Sequence, residues 1–125
     1  PVGLLDELVG TTFAYLDEPE AHVWLRFNVQ LWSEALRSPE IKESLRRTGI
    51  DPWMEALTQF IAKAQGLAEI NPALDPEAVA RILLSMWQGL ILQKALDPSV
   101  DVSPYVDAVK AMYSGSFLQG ATGKR

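Results

Sequence analysis

The segment from Asp75 to Pro98 constrains the fold more than any other part of the chain, because it is long, capped and largely apolar. Asp75 can accept hydrogen bonds from the first N–H groups of a helix, and Pro76 suits the first helical position, where no N–H donor is needed. Pro98 disfavours the helical conformation at the residue before it. The segment therefore predicts one helix that starts at Asp75 and ends near Leu96.

The faces of this predicted helix indicate burial on two sides. At about 100° per residue, a polar stripe roughly 80° wide leaves most of the circumference apolar. The stripe consists of Glu77, Arg81, Ser85 and Gln88. Gly89 costs roughly 1 kcal/mol relative to alanine inside a helix, so we expect it to serve close packing. The domain core can cover one apolar side, and a second chain is the simplest occupant of the other; the alternative is the central helix of a monomeric bundle.

Prolines that follow capping residues mark the starts of the other helices. The pairs are Glu18-Pro19, Ser38-Pro39, Asp51-Pro52, Asp75-Pro76 and Ser103-Pro104. Gly49 is expected to end the third helix and Gly115 the last. No segment alternates with a period of two, so we expect no sheet. With the opening segment, the sequence predicts an all-α bundle of about six helices, with one domain in residues 1–118 and a flexible tail in residues 119–125.

The bulk properties of the chain disfavour several classes of function. The chain has 125 residues, enough for one domain with a real core, and it carries a net charge of −5. An acidic domain is a poor partner for nucleic-acid backbones or anionic membranes. The absence of cysteine excludes disulfides and thiolate chemistry and is compatible with a reducing compartment. The sequence has neither the pattern of a signal peptide nor an apolar run long enough to cross a membrane.

Patterns typical of catalysis or metal binding are missing from the sequence. His22 is the single histidine, and it lies on the polar arc of its predicted helix. No Cys, His and carboxylate residues have the spacing of a metal site, and no strand precedes Ser114-Gly115-Ser116, as a nucleophile elbow requires. We therefore expect neither an enzyme nor a bound cofactor or metal.

Aromatic residues are the positive signal in this sequence. Four tryptophans occur in the chain, and three of them lie in the apolar arcs of different predicted helices. Asn28 lies near the middle of an apolar arc, so its amide needs hydrogen-bond partners from a neighbouring helix, from water or from a ligand. Aromatic walls with a few amides suit a pocket for an organic ligand, although on these residues alone a plain aromatic core is the simpler interpretation.

Three segments together resemble the C-terminal regulatory domain of TetR-family transcriptional repressors. Residues 31–41 resemble the family's junction between two helices, which ends in a Pro-Glu helix start. Residues 75–98 resemble its penultimate long helix, with Gln88 in place of the acidic residue that commonly precedes the glycine. Residues 105–113 are similar to the closing helix. The order and spacing of these segments carry the resemblance over most of the chain.

The resemblance implies a cytoplasmic homodimer whose last two long helices pair with their counterparts in a four-helix bundle. Each subunit of such a protein encloses a pocket, and a ligand there repositions the DNA-reading heads, usually releasing the operator. The helix-turn-helix reading head is expected to precede Pro1, so DNA binding is expected only through a domain that is absent here. We expect the effector-binding and dimerisation domain of a repressor; the alternative is a helical protein–protein interaction module with a solid core and no ligand.

Under this resemblance the effector site draws on three helices. Its predicted residues are Trp24, Phe27, Asn28, Leu31, Trp53, Leu57, Phe60, Ile61, Leu83, Met86 and Trp87. Because no Lys or Arg is among them, we expect an apolar or aromatic effector, neutral or cationic, since tryptophan faces attract cations. The predicted dimer interface consists of Ile82, Gly89, Gln93, Leu96, Val106, Val109, Met112 and Tyr113. The sequence leaves open which face of the helix in residues 75–96 meets the partner.

Overall fold

Six α-helices and two short helical turns, joined by turns and loops, lie within residues 2–115, the part of the chain described by the computed structural model. The helices are α1 (Val2–Ala14), α2 (Ala21–Ala35), α3 (Pro39–Leu45), α4 (Asp51–Gly66), α5 (Pro76–Leu96) and α6 (Val102–Ser114). A 3₁₀ turn (Tyr15–Asp17) extends α1, and a π turn (Arg46–Ile50) joins α3 to α4. Residues 2–115 contain no strand, so the predicted all-α class is confirmed. The predicted tail at residues 119–125 lies outside the described residues.

Helix α5 lies at the centre of the domain and has the predicted bounds. Helices α2 and α4 pack against it, while α1 packs against α6. Leu90 and Ile91 of α5 belong to the main core, which includes residues of α1, α2 and α6. Ala80 and Leu84 of α5 form a second cluster with Met54 of α4. One apolar side of α5 is therefore covered by the core of its own domain.

The connection between α3 and α4 differs from the prediction. Gly49 predicts a helix end and Asp51-Pro52 a new start, but the backbone stays helical through both positions. The N–H of Asp51 donates to the carbonyl of Arg46, five residues earlier, which is the hydrogen bond of a π turn. Pro52 has no N–H to lose, and the wider turn relieves the clash that its ring would make in an unbroken α-helix. The predicted break at Gly49 is wrong, and α3 and α4 form one continuous helical rod.

The N-terminal caps of two helices differ from those that the sequence predicts. The side chain of Asp75 makes no capping hydrogen bond, although α5 begins where expected. Helix α6 begins two residues before Pro104, and its cap is Asp101, whose carboxylate accepts a hydrogen bond of 3.2 Å from the N–H of Ser103. The predicted end of α6 is confirmed, since Gly115 has a φ of +85°, a left-handed conformation that favours glycine.

Lys94 connects the C-terminal end of α5 to two other segments. Its side chain is only 11% exposed and its Nζ lies 3.3 Å from the carboxylate of Asp17, at the end of the 3₁₀ turn. The same Nζ donates to the backbone carbonyls of Val100, at 2.6 Å, and Pro98, at 3.3 Å. A cation also suits the negative end of the α5 dipole. Lys94 therefore holds the α5–α6 loop and the end of α1 together.

The described helices and side chains were compared with the requirements of a membrane span and of a metal site. None of the helices in residues 2–115 is long and apolar enough to cross a membrane. In the same part of the chain, no group of three or more His, Cys, Asp or Glu side chains is placed to hold a metal ion.

Candidate functional site

A small apolar cavity lies between α1, α4 and α5. Its lining residues are Leu8, Val9, Thr12, Phe13, Trp53, Leu57, Leu83, Leu84 and Trp87. The space has a volume of about 40 Å³, enough for only a few water molecules. Thr12 provides the one hydroxyl group among the lining residues, and none of the lining residues is charged. The walls therefore favour apolar contents.

Trp87 connects the cavity to a row of aromatic rings. Its ring centroid lies 5.5 Å from that of Phe13 and 6.0 Å from that of Trp24. Trp24 meets Tyr15 edge-on at 5.7 Å, and Phe13 lies 5.9 Å from Tyr105. Aromatic pairs at such distances contribute about 0.5–1.5 kcal/mol beyond their buried area. The row gives the cavity a stiff aromatic side that reaches from the surface at Tyr15 to α6.

The predicted effector residues fall into three groups in the structure. Four of them line the cavity: Trp53, Leu57, Leu83 and Trp87. Four others are buried or pack against the core away from the cavity lining: Trp24, Phe60, Ile61 and Met86. The remaining three lie on the flank of α2: Phe27, Asn28 and Leu31. Phe27 is 59% exposed, and the other two are partly buried. The structure thus brings α4 and α5 together at the cavity and leaves α2 outside its lining.

Asn28 finds a hydrogen-bond partner within its own helix. Its Nδ2 donates to the backbone carbonyl of Trp24, one turn earlier, at 2.8 Å. A side-chain bond of this kind satisfies a partly buried amide locally, without a neighbouring helix. This partner within the same helix differs from the neighbouring helix, the water and the ligand that the sequence leaves open.

Helix α1 supplies the part of the cavity wall that the site prediction omits. Leu8, Val9, Thr12 and Phe13 line the cavity from α1, and Leu84 adds to the wall from α5. The α1 residues recur at helical spacing on one side of the first predicted helix, so their burial is visible in the sequence. The prediction omits them because it follows the tryptophan-bearing helices, and periodicity does not indicate which helices meet.

The side of α5 that points away from the core carries exposed apolar residues beside polar ones. Ile82 is 54% exposed and Leu96 is 77% exposed. The outer face of α5 consists of Ala78, Ile82, Ser85, Gly89, Leu92 and Leu96. These positions follow one another in alternating steps of four and three residues, which is the spacing of a coiled-coil seam. A Cβ atom added at Gly89 would meet no atom within 4 Å, so nothing in the described chain requires glycine there.

The predicted dimer residues divide between the surface and the core. Four of them lie on the exposed side of α5: Ile82, Gly89, Gln93 and Leu96. On α6, Met112 is half-exposed, whereas Val106 and Val109 are buried in the domain's own core. Tyr113 is partly buried, and its phenol donates a hydrogen bond to the carboxylate of Asp6 on α1. Helix α6 therefore uses most of its predicted interface residues against α1.

The fold and the site define an all-α bundle with a small apolar cavity and an uncovered apolar helix face. The family model of the BetI-type transcriptional repressor, C-terminal, matches residues 3–116. The chain therefore belongs to this family, and the TetR-type regulatory domain predicted from the sequence is confirmed. No curated protein and no solved structure matches the chain. The family is one of transcriptional regulators rather than enzymes.

Proposed function

We propose that this regulatory domain binds an apolar or aromatic effector and forms a homodimer, and that α5 couples the two properties. The observation that carries the proposal is the double role of this helix. Its inner side contributes Leu83 and Trp87 to the cavity, and its outer side carries the exposed Ile82 and the partly buried Gly89. A helix is stiff, so a displacement on its inner side also moves its outer side. An effector that shifts Trp87 therefore changes the face that a partner would contact.

The chemistry of the cavity supports a neutral effector. No charged residue lines it, and burying an unpaired charge is far more costly than burying apolar surface. The polar groups at hand are the hydroxyl of Thr12 and the indole N–H groups of Trp53 and Trp87, which suit a ligand with one or two hydrogen-bonding atoms. Pockets that enclose drug-sized ligands measure about 300–1,000 Å³. The effector therefore enters by widening the present cavity of about 40 Å³.

The outer face of α5 supports a second copy of the chain as the partner. Single exposed leucines are common on protein surfaces, but a row of small and apolar residues at the spacing of a coiled-coil seam favours an interaction site. Ser85 and Gly89 are small, so two such helices can approach closely at the middle of the seam. Met112 of α6 is also half-exposed. In the proposed dimer α5 and α6 of both copies form a four-helix bundle, in agreement with the family resemblance.

In the proposed full-length repressor, DNA is read by an N-terminal helix-turn-helix domain outside this chain. The net charge of −5 makes the present chain a poor partner for DNA phosphates. Its contribution is to set the distance between two reading heads in response to the effector. The proposal implies a cytoplasmic protein.

The test combines the mass in solution with three matched probes. Sedimentation equilibrium is expected to give twice the chain mass of 13.8 kDa. Bromobenzene, 4-bromobenzoate and (4-bromophenyl)trimethylammonium share a ring and a bromine atom that quenches tryptophan fluorescence, but they differ in charge. We expect saturable quenching by bromobenzene and at least tenfold weaker binding of the benzoate. Tight binding of the anion would contradict the proposed effector class, and preferential binding of the trimethylammonium probe would assign a cationic effector instead.

The competing function is a helical interaction module without a ligand. The small cavity favours it, because a core with about 40 Å³ of free space is nearly solid. This function predicts a dimer whose fluorescence shows no saturable response to any of the three probes. A stable monomer would contradict both functions.

A further inference from the structure

We propose that Trp53 is the gate through which the effector enters the cavity, an inference that rests on the proposed function. Trp53 lines the cavity and is 50% exposed to solvent. The other lining residues are all buried or partly buried: Leu8, Val9, Thr12, Phe13, Leu57, Leu83, Leu84 and Trp87. Trp53 is therefore the part of the wall with the greatest access to solvent.

The size of the cavity requires a wall that moves. With a volume of about 40 Å³, the space cannot admit an aromatic molecule unless a lining side chain gives way. Displacing a buried wall residue such as Phe13 would transfer apolar surface to water and leave a void in the core. Trp53 already has half of its surface in solvent, so it loses fewer contacts when it swings out. It is the lining side chain whose displacement costs least.

The backbone around Trp53 suits such a motion. Trp53 lies in the first turn of α4, directly after the π turn at Arg46–Ile50. The N–H of Asp51 donates to the carbonyl of Arg46 across this turn, which fixes the backbone at the start of α4. Met54, the next residue, is buried and holds the start of α4 against the core. The indole ring can therefore turn about its side-chain bonds while the helix stays anchored.

A gate and an ordinary wall residue differ in their kinetic effects. A side chain that only contacts the bound molecule slows its release, so its removal raises the dissociation rate constant alone. A side chain that blocks the path in both directions slows entry as well as release. Removal of the Trp53 ring is therefore expected to accelerate both steps and to change the dissociation constant much less than either rate.

Stopped-flow quenching by bromobenzene tests the gate. The total tryptophan emission reports the arrival of the probe in the unmodified chain, in Trp53→Ala and in Trp53→Phe, because Trp87 in the cavity wall is present in all three. We expect an association rate constant at least tenfold higher in Trp53→Ala, a similar rise in the dissociation rate constant, and intermediate values in Trp53→Phe. Phe27→Ala removes another exposed aromatic ring, one that does not line the cavity, and should leave both rate constants unchanged.

The outcomes separate the gate from the function on which it rests. Faster release of bromobenzene with an unchanged association rate in Trp53→Ala would overturn the gate and leave the effector site standing. Absence of saturable quenching in all four proteins would overturn the effector site, and the gate with it. The phenylalanine variant keeps an aromatic ring at the start of α4, so the comparison stands even if the alanine variant does not fold.

Discussion

The phenol of Tyr105 donates a hydrogen bond of 2.9 Å to the backbone carbonyl of Met86, in the middle of α5. The same ring lies 5.9 Å from Phe13 in the cavity wall. Burial raises the pKa of Tyr105 above its ordinary value, which further favours the protonated phenol that donates this bond. One side chain of α6 thus contacts both the cavity wall and the helix that carries the outer face.

Replacing Tyr105 by Phe should lower the free energy of unfolding by about 1 kcal/mol, because the variant loses the hydrogen bond to Met86 but keeps the ring. Unfolding in urea measures the change. The matched control is Tyr15→Phe at the exposed end of the aromatic row, where we expect a change within about 0.5 kcal/mol. Equal losses in the two variants would show that the bond to Met86 contributes nothing.

The contact between Tyr113 and Asp6 predicts a loss of stability at alkaline pH. Burial raises the pKa of Tyr113, and the hydrogen bond to Asp6 and the negative charge of that carboxylate raise it further. The folded chain therefore keeps a proton that the unfolded chain releases. The resulting stabilisation is complete below the ordinary tyrosine pKa of about 10 and is lost as the pH rises above it.

Urea unfolding of the unmodified chain and of Tyr113→Phe, at pH values from about 8 to 11, measures this effect. The unmodified chain should lose stability more steeply above about pH 10 than the variant, which lacks the phenol at position 113 but keeps those of Tyr15 and Tyr105. Taking the difference between the two curves removes the contribution of lysines, which titrate in the same range. Parallel curves would mean that Tyr113 has no raised pKa.

Lys94→Met should destabilise the domain by about 1–2 kcal/mol, because the carbonyls of Val100 and Pro98 lose their donor. Thermal or urea unfolding detects the change. Asp17→Asn is the control, since it removes only the ion pair with a half-exposed carboxylate and should cost about 0–1 kcal/mol. If both variants cost the same, the ion pair rather than the carbonyl contacts holds the α5–α6 loop.

Gly89→Ala should have opposite effects on the single chain and on the proposed dimer. The added methyl group meets no atom within 4 Å in the chain, so helix propensity should stabilise the monomer by up to about 1 kcal/mol. In the dimer the methyl group would lie between closely packed helices, and we expect the dimer dissociation constant to rise at least tenfold. Sedimentation equilibrium measures that constant.

Gly66→Ala is the control for this experiment. Gly66 also has no atom within 4 Å of an added Cβ, but it lies at the end of α4, away from the outer face of α5. Dimerisation of Gly66→Ala should match that of the unmodified chain. An unchanged dimer in Gly89→Ala would mean that no partner helix packs closely against this glycine.

The elements set by local sterics were predictable from the sequence, and those set by tertiary contacts were not. Pro76 and Pro98 limit α5 through their own rings, so its bounds agree with the prediction. Gly49 and Pro52 locally favour a break between two helices. The backbone nevertheless stays helical through both positions, because a π turn accommodates them. Phe27 lies in the apolar arc of its helix, yet no other element within residues 2–115 covers it, and a helical wheel cannot reveal that.

The same distinction applies to the cavity. Trp53, Leu57, Leu83 and Trp87 were predictable because the apolar arcs of α4 and α5 are strong and the two helices are neighbours in the chain. The wall from α1 depends on a contact between segments more than forty residues apart, for which a single sequence holds no direct signal. The sequence predicts that α5 has a second apolar side. Which side of the helix faces outward is determined by the packing of α2 and α4 against it.

The π turn at Arg46–Ile50 also sets the angular phase of α4. The partly buried residues Ile41, Leu45 and Gly49 lie four positions apart, whereas Ile50, which packs against the second core cluster, follows Leu45 after five. One additional residue in a turn rotates everything after it by about 100° relative to an unbroken α-helix. Deleting a single residue from this turn would therefore point Trp53 away from α1 and α5 without changing any residue that lines the cavity. The shape of the cavity therefore depends on the number of residues in this turn as well as on the chemistry of the residues that line the cavity.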